Sequence, residues 1–191
     1  MADRNSIITL PDERLRQKSK KIDPNSEAVK KLVKQMEDAT LDWEDHREHE
    51  FGVALAAVQI GELDKVVIVR GDMEDKTDRS FIVMVNPKIV QKSGDMITDF
   101  EGCLSILDIY GKVPRYEKVK VVAQDLDGRE FRITAEGFLA RVMQHEIDHT
   151  NGTVFIDHIK DQEEAFFKIG DDGKLEALNY DEHVKNSDIL W

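Results

Sequence analysis

Ala135-Glu136-Gly137-Phe138-Leu139-Ala140-Arg141-Val142-Met143-Gln144-His145-Glu146-Ile147-Asp148-His149 is the stretch from which the rest of the chain can be read. Leu139, Val142 and Met143 form an apolar stripe at helical spacing, and Asn151-Gly152 just beyond offers a glycine stop. A helix over residues 135–149 is therefore expected. Within it, His145 and His149 stand four residues apart. At about 100° per residue they differ by about 40° around the axis, so both imidazoles leave one face and can share a metal ion. Glu146 lies between them along the helix, displaced toward the apolar stripe, where a partly dry setting raises a carboxylate pKa and suits it to moving protons. The plainer alternative is a helix with two solvated histidines. Phe138 and Val142, one to two turns earlier on the histidine side, argue instead for an apolar pocket beside a metal. Asp148 points roughly opposite Glu146, near Arg141, and reads as outer-face chemistry.

Upstream of this helix the pattern is that of strands: residues 65–70, 81–85, 89–90, 119–123 and 131–134. Asp125-Leu126-Asp127-Gly128 between the last two reads as a hairpin turn. Earlier still, Val29, Leu32, Val33, Met36, Ala39 and Trp43 form a helical stripe. Its start is expected at Asp23-Pro24, aspartate as cap and proline at the first helical position, and its end at the polar run 44–50. Strands gathered between two helices define an α+β fold, mainly antiparallel sheet around the helix carrying His-Glu-x-x-His, with an N-terminal helix.

Two histidines make an incomplete centre, since a catalytic tetrahedral site uses three protein ligands and leaves one position open. Cys103 is the only cysteine, which excludes an internal disulfide. It is a buried small hydrophobe, a nucleophile or a ligand. Its setting, Glu101-Gly102-Cys103-Leu104-Ser105, favours the ligand, because the glycine permits close backbone approach. A Cys-His-His set with bound water is chemically coherent. In the apolar run between Gly52 and Gly61, Gln59 is the only polar side chain. A buried amide needs partners, and beside a reaction centre it can donate to an oxyanion.

Composition limits the partners. The formal charge of −12 argues against a broad nucleic-acid-binding face, and no apolar run approaches the ~20 residues of a membrane span. Residues 161–191 carry nine acidic groups against three lysines. They read as an acidic C-terminal tail, partly helical or mobile, after a catalytic domain over residues 1–160. The N-terminus resembles neither a signal peptide nor a transit segment, so a cytoplasmic protein is expected, with the mature form of an organellar protein as the alternative.

Three segments in order, Gly52 to Gln59, Glu101 to Ser105 and Gln144 to His149, resemble the marks of the peptide deformylases. The likeness extends to Pro11-Asp12-Glu13-Arg14-Leu15-Arg16, Val113-Pro114-Arg115 and Asn151-Gly152 with Phe155-Ile156-Asp157. It implies removal of the N-formyl group from the formylmethionine of nascent chains, with release of formate. Cys103, His145 and His149 would bind one divalent metal, Fe(II) in the cell, with zinc, nickel or cobalt as substitutes. Glu146 would take the proton of the attacking water and deliver it to the departing amine. The Gln59 side chain and the Leu104 backbone N–H would stabilise the oxyanion. Val53, Ala54, Phe138 and Val142 would contact substrate, and Glu101 with Arg115 would form a supporting ion pair. Three departures stand out: Ala54 replaces a glycine, Leu107 replaces a frequent proline, and the tail is not the basic helix with which some bacterial members dock on the ribosome. Ribosome binding is therefore not carried over. The rivals are a zinc protease using His158 as third ligand, a Cys–His thiol hydrolase, and a deformylase-like protein that binds peptide N-termini without turnover.

Overall fold

A computed structural model describes residues 2–47, 51–170 and 173–187. The N-terminal helix α1 (Glu27–Asp45) buries Val29, Leu32, Val33, Met36, Ala39 and Trp43, the stripe read from the sequence. Its cap differs from expectation. Ser26 accepts from the Val29 N–H, whereas Asp23 accepts from the Asn25 N–H and closes a turn before the helix. Aspartate and serine compete for such roles with the same side-chain acceptor, and here the serine lies at the helical boundary.

The seven described strands are β1 (Ala54–Ala56), β2 (Val66–Arg70), β3 (Phe81–Cys103), β4 (Ile106–Gln124), β5 (Glu130–Glu136), β6 (Phe166–Ile169) and β7 (Leu175–Ala177). They form one antiparallel sheet in the order β1-β2-β3-β4-β6-β7, with β5 also paired to β4. The fold is the α+β class expected, and its frame is the long β3–β4 ribbon. That ribbon runs from Val85 opposite Gln124 to Cys103 opposite Ile106, turning through Leu104 and Ser105. Near the turn the register breaks: Glu101 faces Gly111 and Cys103 faces Ile106, so Leu107 to Tyr110 stand against Gly102 alone. A Cβ on Gly102 would lie 2.7 Å from the Tyr110 ring, which is why glycine precedes the cysteine.

Helix α2 (Gly137–His149) starts two residues later than the sequence suggested. Ala135 and Glu136 finish β5 opposite Val119 and Lys118, and Gly137, at φ +58°, turns the chain from strand to helix. The helix seats Ala140, Val142, Met143 and Ile147 in the core formed with β1, β2 and β4. Gln144 pins it to the sheet: its amide accepts from Tyr116 N–H at 3.2 Å and donates to Tyr116 C=O at 2.8 Å. The extended lead laces two site segments together, Ile8 N–H donating to Gln59 C=O and Leu10 N–H to Ser105 C=O.

The segment after residue 160, read from its charge as a partly helical or mobile tail, contributes structure in its described part. β6 joins β4, with Tyr110 opposite Phe167 and Gly111 opposite Phe166. Phe166, Leu178 and Val184 are buried in a core with Phe155, Ile156 and Ile159. Two short helical stretches occur in that described part, Glu163–Ala165 and Asp181–Lys185. Acidic residues on the outer face hid these apolar anchors in the average composition. Residues 171–172 and 188–191 of that segment lie outside the described residues.

Candidate active site

The turn at the end of the β3–β4 ribbon and the middle of α2 bring three ligand atoms together. One from each of Cys103, His145 and His149 lie within 4.8 Å of one another. Cys103 Sγ is 3.3 Å from His149 Nε2, and the two imidazole centroids are 5.0 Å apart. His149 is fully buried and His145 nearly so. His145 Nδ1 sits 2.9 Å from Glu101 Oε2. That bond commits one ring nitrogen to the carboxylate and leaves the other for a ligand role.

Glu101 is the hub beneath the centre. Arg115 grips it with two bonds, Nε to Oε1 at 2.8 Å and a terminal nitrogen to Oε2 at 3.0 Å. Arg141, from α2, adds a bond to Oε1 at 2.8 Å. Burial alone would raise this carboxyl, but the bonds to His145 and Arg115 hold it well below the usual carboxylate range. Arg115 also contacts Asp148 at 2.5 Å, and His158 lies 2.8 Å from the same carboxylate. Asp148 thus pairs with Arg115 and His158, not with Arg141 as its helical position suggested. Arg141 is drawn inward by Glu101 and by the carbonyls of Ile97, Asp99 and Val113. His158, the third ligand in the protease alternative, stands outside the Cys-His-His cluster.

The residues fit a cation. Burial opposes charge on His145, yet the bonds to Cys103 and Glu101 push its pKa well above the ordinary value, and a cation bound there would displace that proton. Burial, then repulsion from His145, lowers His149 well below the ordinary value and keeps its ring neutral, as a ligand must be. A thiol and two imidazoles are the borderline-soft donors that bind zinc and late first-row metals.

Glu146 is buried beside the cluster, and its Oε2 has no hydrogen-bond partner. Desolvation lifts its pKa to about 7, against attraction from His145. Gln59 is buried too; its carbonyl oxygen accepts from Ala56 N–H at 2.8 Å, while its amide nitrogen donates to Ser105 Oγ at 3.2 Å and lies 3.6 Å from Cys103 Sγ. These groups open into a cavity of about 500 Å³. Val53, Ala54, Leu104, Phe138 and Val142 line it, so every substrate position taken from the resemblance reaches this space. Phe138 is 57% exposed and forms part of the rim. Ala54 belongs to β1 opposite Val69, and the described non-glycine residues with positive φ are Asn86 and Asp108. Its methyl group therefore brings no left-handed strain. Sequence reasoning missed Arg141 and Gln144 as supports. The signal available was a long polar side chain on a helix face that otherwise had to be buried.

An α+β frame with a buried Cys-His-His cluster, an adjoining buried carboxylate and an apolar cavity defines a metal-dependent hydrolase. Comparison narrows the class. The family model for polypeptide deformylases matches residues 4–165. Peptide deformylase 3 of Shewanella oneidensis is 40% identical over 153 residues, covering 80% of this chain and 87% of that protein. The peptide deformylase of Thermomicrobium roseum is 43% identical over 160 residues, 82% of this chain and 86% of its own. The crystal structure of a peptide deformylase from Synechococcus elongatus in complex with actinonin superposes with a TM-score of 0.73 at 34% identity, covering 82% of this chain and 80% of that one. The chain belongs to the peptide deformylase family, whose activity is removal of the formyl group from nascent polypeptides. No helix among the described residues is long and apolar enough to cross a membrane.

Proposed function

We propose that this chain releases formate from formylmethionine peptides using one divalent metal ion held by Cys103, His145 and His149. The observation that carries the reading is the convergence of those three donors at a cavity beside a buried carboxylate oxygen that has no partner. When bound, the metal supplies Lewis acidity and lowers the pKa of water toward neutrality. The remaining work belongs to the protein. Glu101, itself fixed by Arg115 and Arg141, orients His145. Glu146 Oε2 accepts the proton of the attacking water and returns it to the amine nitrogen as the C–N bond breaks. The Gln59 amide and the Leu104 N–H donate to the formyl oxygen as it gains charge. Phe138 and Val142 receive the methionine side chain, and Val53 and Ala54 flank the peptide backbone.

Fe(II) is the metal of this proposal in the cell, with zinc, nickel or cobalt able to replace it. Action on nascent chains fits a cytoplasmic enzyme or the mature form of an organellar one; docking on the ribosome through a basic tail is not part of the reading. The test is formate release from a formyl-Met peptide by protein loaded anaerobically with Fe(II). Glu146→Ala should retain metal and lose about a hundredfold or more in turnover. Peptide binding without formate release would establish the non-catalytic alternative, and equal turnover in Glu146→Ala would sink the assigned role.

A further inference from the structure

The cavity contains residues that the hydrolytic step does not use. Ile169, Gly173 and Leu175 line it, and all three lie beyond residue 165, where the family match ends. β6 and β7 pair with Phe167 opposite Ala177, Lys168 opposite Glu176 and Ile169 opposite Leu175. Side chains alternate along a strand. Phe167, Ile169, Leu175 and Ala177 therefore share one face, and Lys168 and Glu176 share the other. The apolar face is the one at the cavity. It is also anchored: Phe167 meets Phe100, another lining residue, edge-on at 5.0 Å between centroids. Lys112 Nζ lies 5.2 and 5.0 Å from those two rings. Behind them Phe166 is fully buried, and its carbonyl accepts from Leu178 N–H at 3.0 Å.

We propose that the apolar face of the β6–β7 hairpin, through Ile169 and Leu175, is a specificity-determining wall for the residue that follows methionine in the substrate. This rests on the deformylase reading above and extends it from the formyl group to the peptide. A cavity of about 500 Å³ lies within the roughly 300–1,000 Å³ range of sites that enclose a drug-sized ligand. That is more room than one methionine side chain needs. Ile169 remains 38% exposed although apolar, so it has surface left to cover. Within the two strands themselves, the charged side chains Lys168 and Glu176 belong to the opposite face. An apolar second residue is therefore favoured, while a polar one would lose water without gaining a partner.

The experiment compares formyl-Met-Leu-Ser with formyl-Met-Ala-Ser, using the full chain with metal bound. Wild type should show a lower KM for the leucine peptide. Ile169→Ala and Leu175→Ala should each raise that KM by about tenfold, the effect of missing methylene contacts in an apolar pocket. The KM of the alanine peptide should rise far less, because its methyl group has less surface to lose. Ile169→Lys should turn preference toward formyl-Met-Asp-Ser, a gain that misfolding cannot produce. Calorimetric binding of the product peptides Met-Leu-Ser and Met-Ala-Ser should follow the same order. Equal KM changes for both formyl peptides, or no preference in wild type, would overturn the inference alone. Failure of wild type to release formate from either peptide would overturn the deformylase reading and this inference with it.

Discussion

Replacing Glu101 by glutamine removes the charge on which two guanidinium groups and one imidazole converge. The side chain makes four contacts of 2.8–3.0 Å, two from Arg115, one from Arg141 and one with His145. Breaking a buried ion pair from one side costs roughly 3–5 kcal/mol. The lower end applies here, because Arg115 keeps Asp148 and Arg141 keeps three backbone carbonyls. For a domain of this size each kcal/mol moves the melting midpoint by about 2–4 °C, so a fall of about 6–12 °C is expected. The freed His145 ring should in addition weaken metal binding by about 10–100-fold, as when a partner behind a ligand is lost. Calorimetric melting of the metal-free protein reads the first effect. Competition for zinc against a chromophoric chelator reads the second. A variant that loses stability but binds zinc as tightly as wild type refutes the orienting role. One that melts as wild type does refutes the buried-charge argument.

Gly152→Ala should lower stability by roughly 2–4 kcal/mol, because φ there is +75° and a Cβ would meet the Arg16 carbonyl oxygen at 2.4 Å. A urea midpoint shift at constant slope measures it, and a neutral result would show that the N-terminal segment can move away from α2. Metal at about 100 times its dissociation constant should stabilise the protein by about 2.7 kcal/mol relative to the chelated form. Cys103→Ala should lose most of that increment, and an unchanged increment in the variant would place the ion elsewhere.

Much of the site was open to sequence reading because its chemistry is local. His145, Glu146 and His149 occupy one helix, and helical geometry alone puts the two imidazoles on one face. Cys103 and Gln59 needed their neighbours, since neither residue carries its environment with it. The half of β3 that leads to the cysteine was not recognised as strand. Lys92, Ser93, Gly94, Asp95 and Thr98 interrupt any apolar alternation, and that stretch is largely exposed on both faces. Its pairing with β4 is a tertiary fact that no alternation announces. The partners of Glu101 were half visible: the ion pair with Arg115 follows from the resemblance, but Arg141 and Asp148 exchanged expected partners once the ribbon turned beneath the helix. Phe166 and Phe167 were hidden differently, by nine acidic residues that dominate the composition of the last 31 positions.

The register break opposite Gly102 has a consequence for how this architecture can change over time. On its Cys103 side the pairing with Ile106 is fixed by a tight turn, and on the other side Glu101 is fixed opposite Gly111. Leu107 and Asp108, both exposed, form slack between these clamped points, with Asp108 already at φ 60°, whereas Ile109 is buried and Tyr110 pairs with Phe167. An insertion or deletion at Leu107 and Asp108 can be absorbed there without sliding Arg115 away from Glu101, whereas one in a regularly paired stretch of the ribbon would turn the following side chains to the wrong face. Tyr110, which lines the cavity, stands two residues beyond the slack and is held by Phe167. The chain can therefore vary in length near its cavity while Cys103, His145 and His149 keep their places.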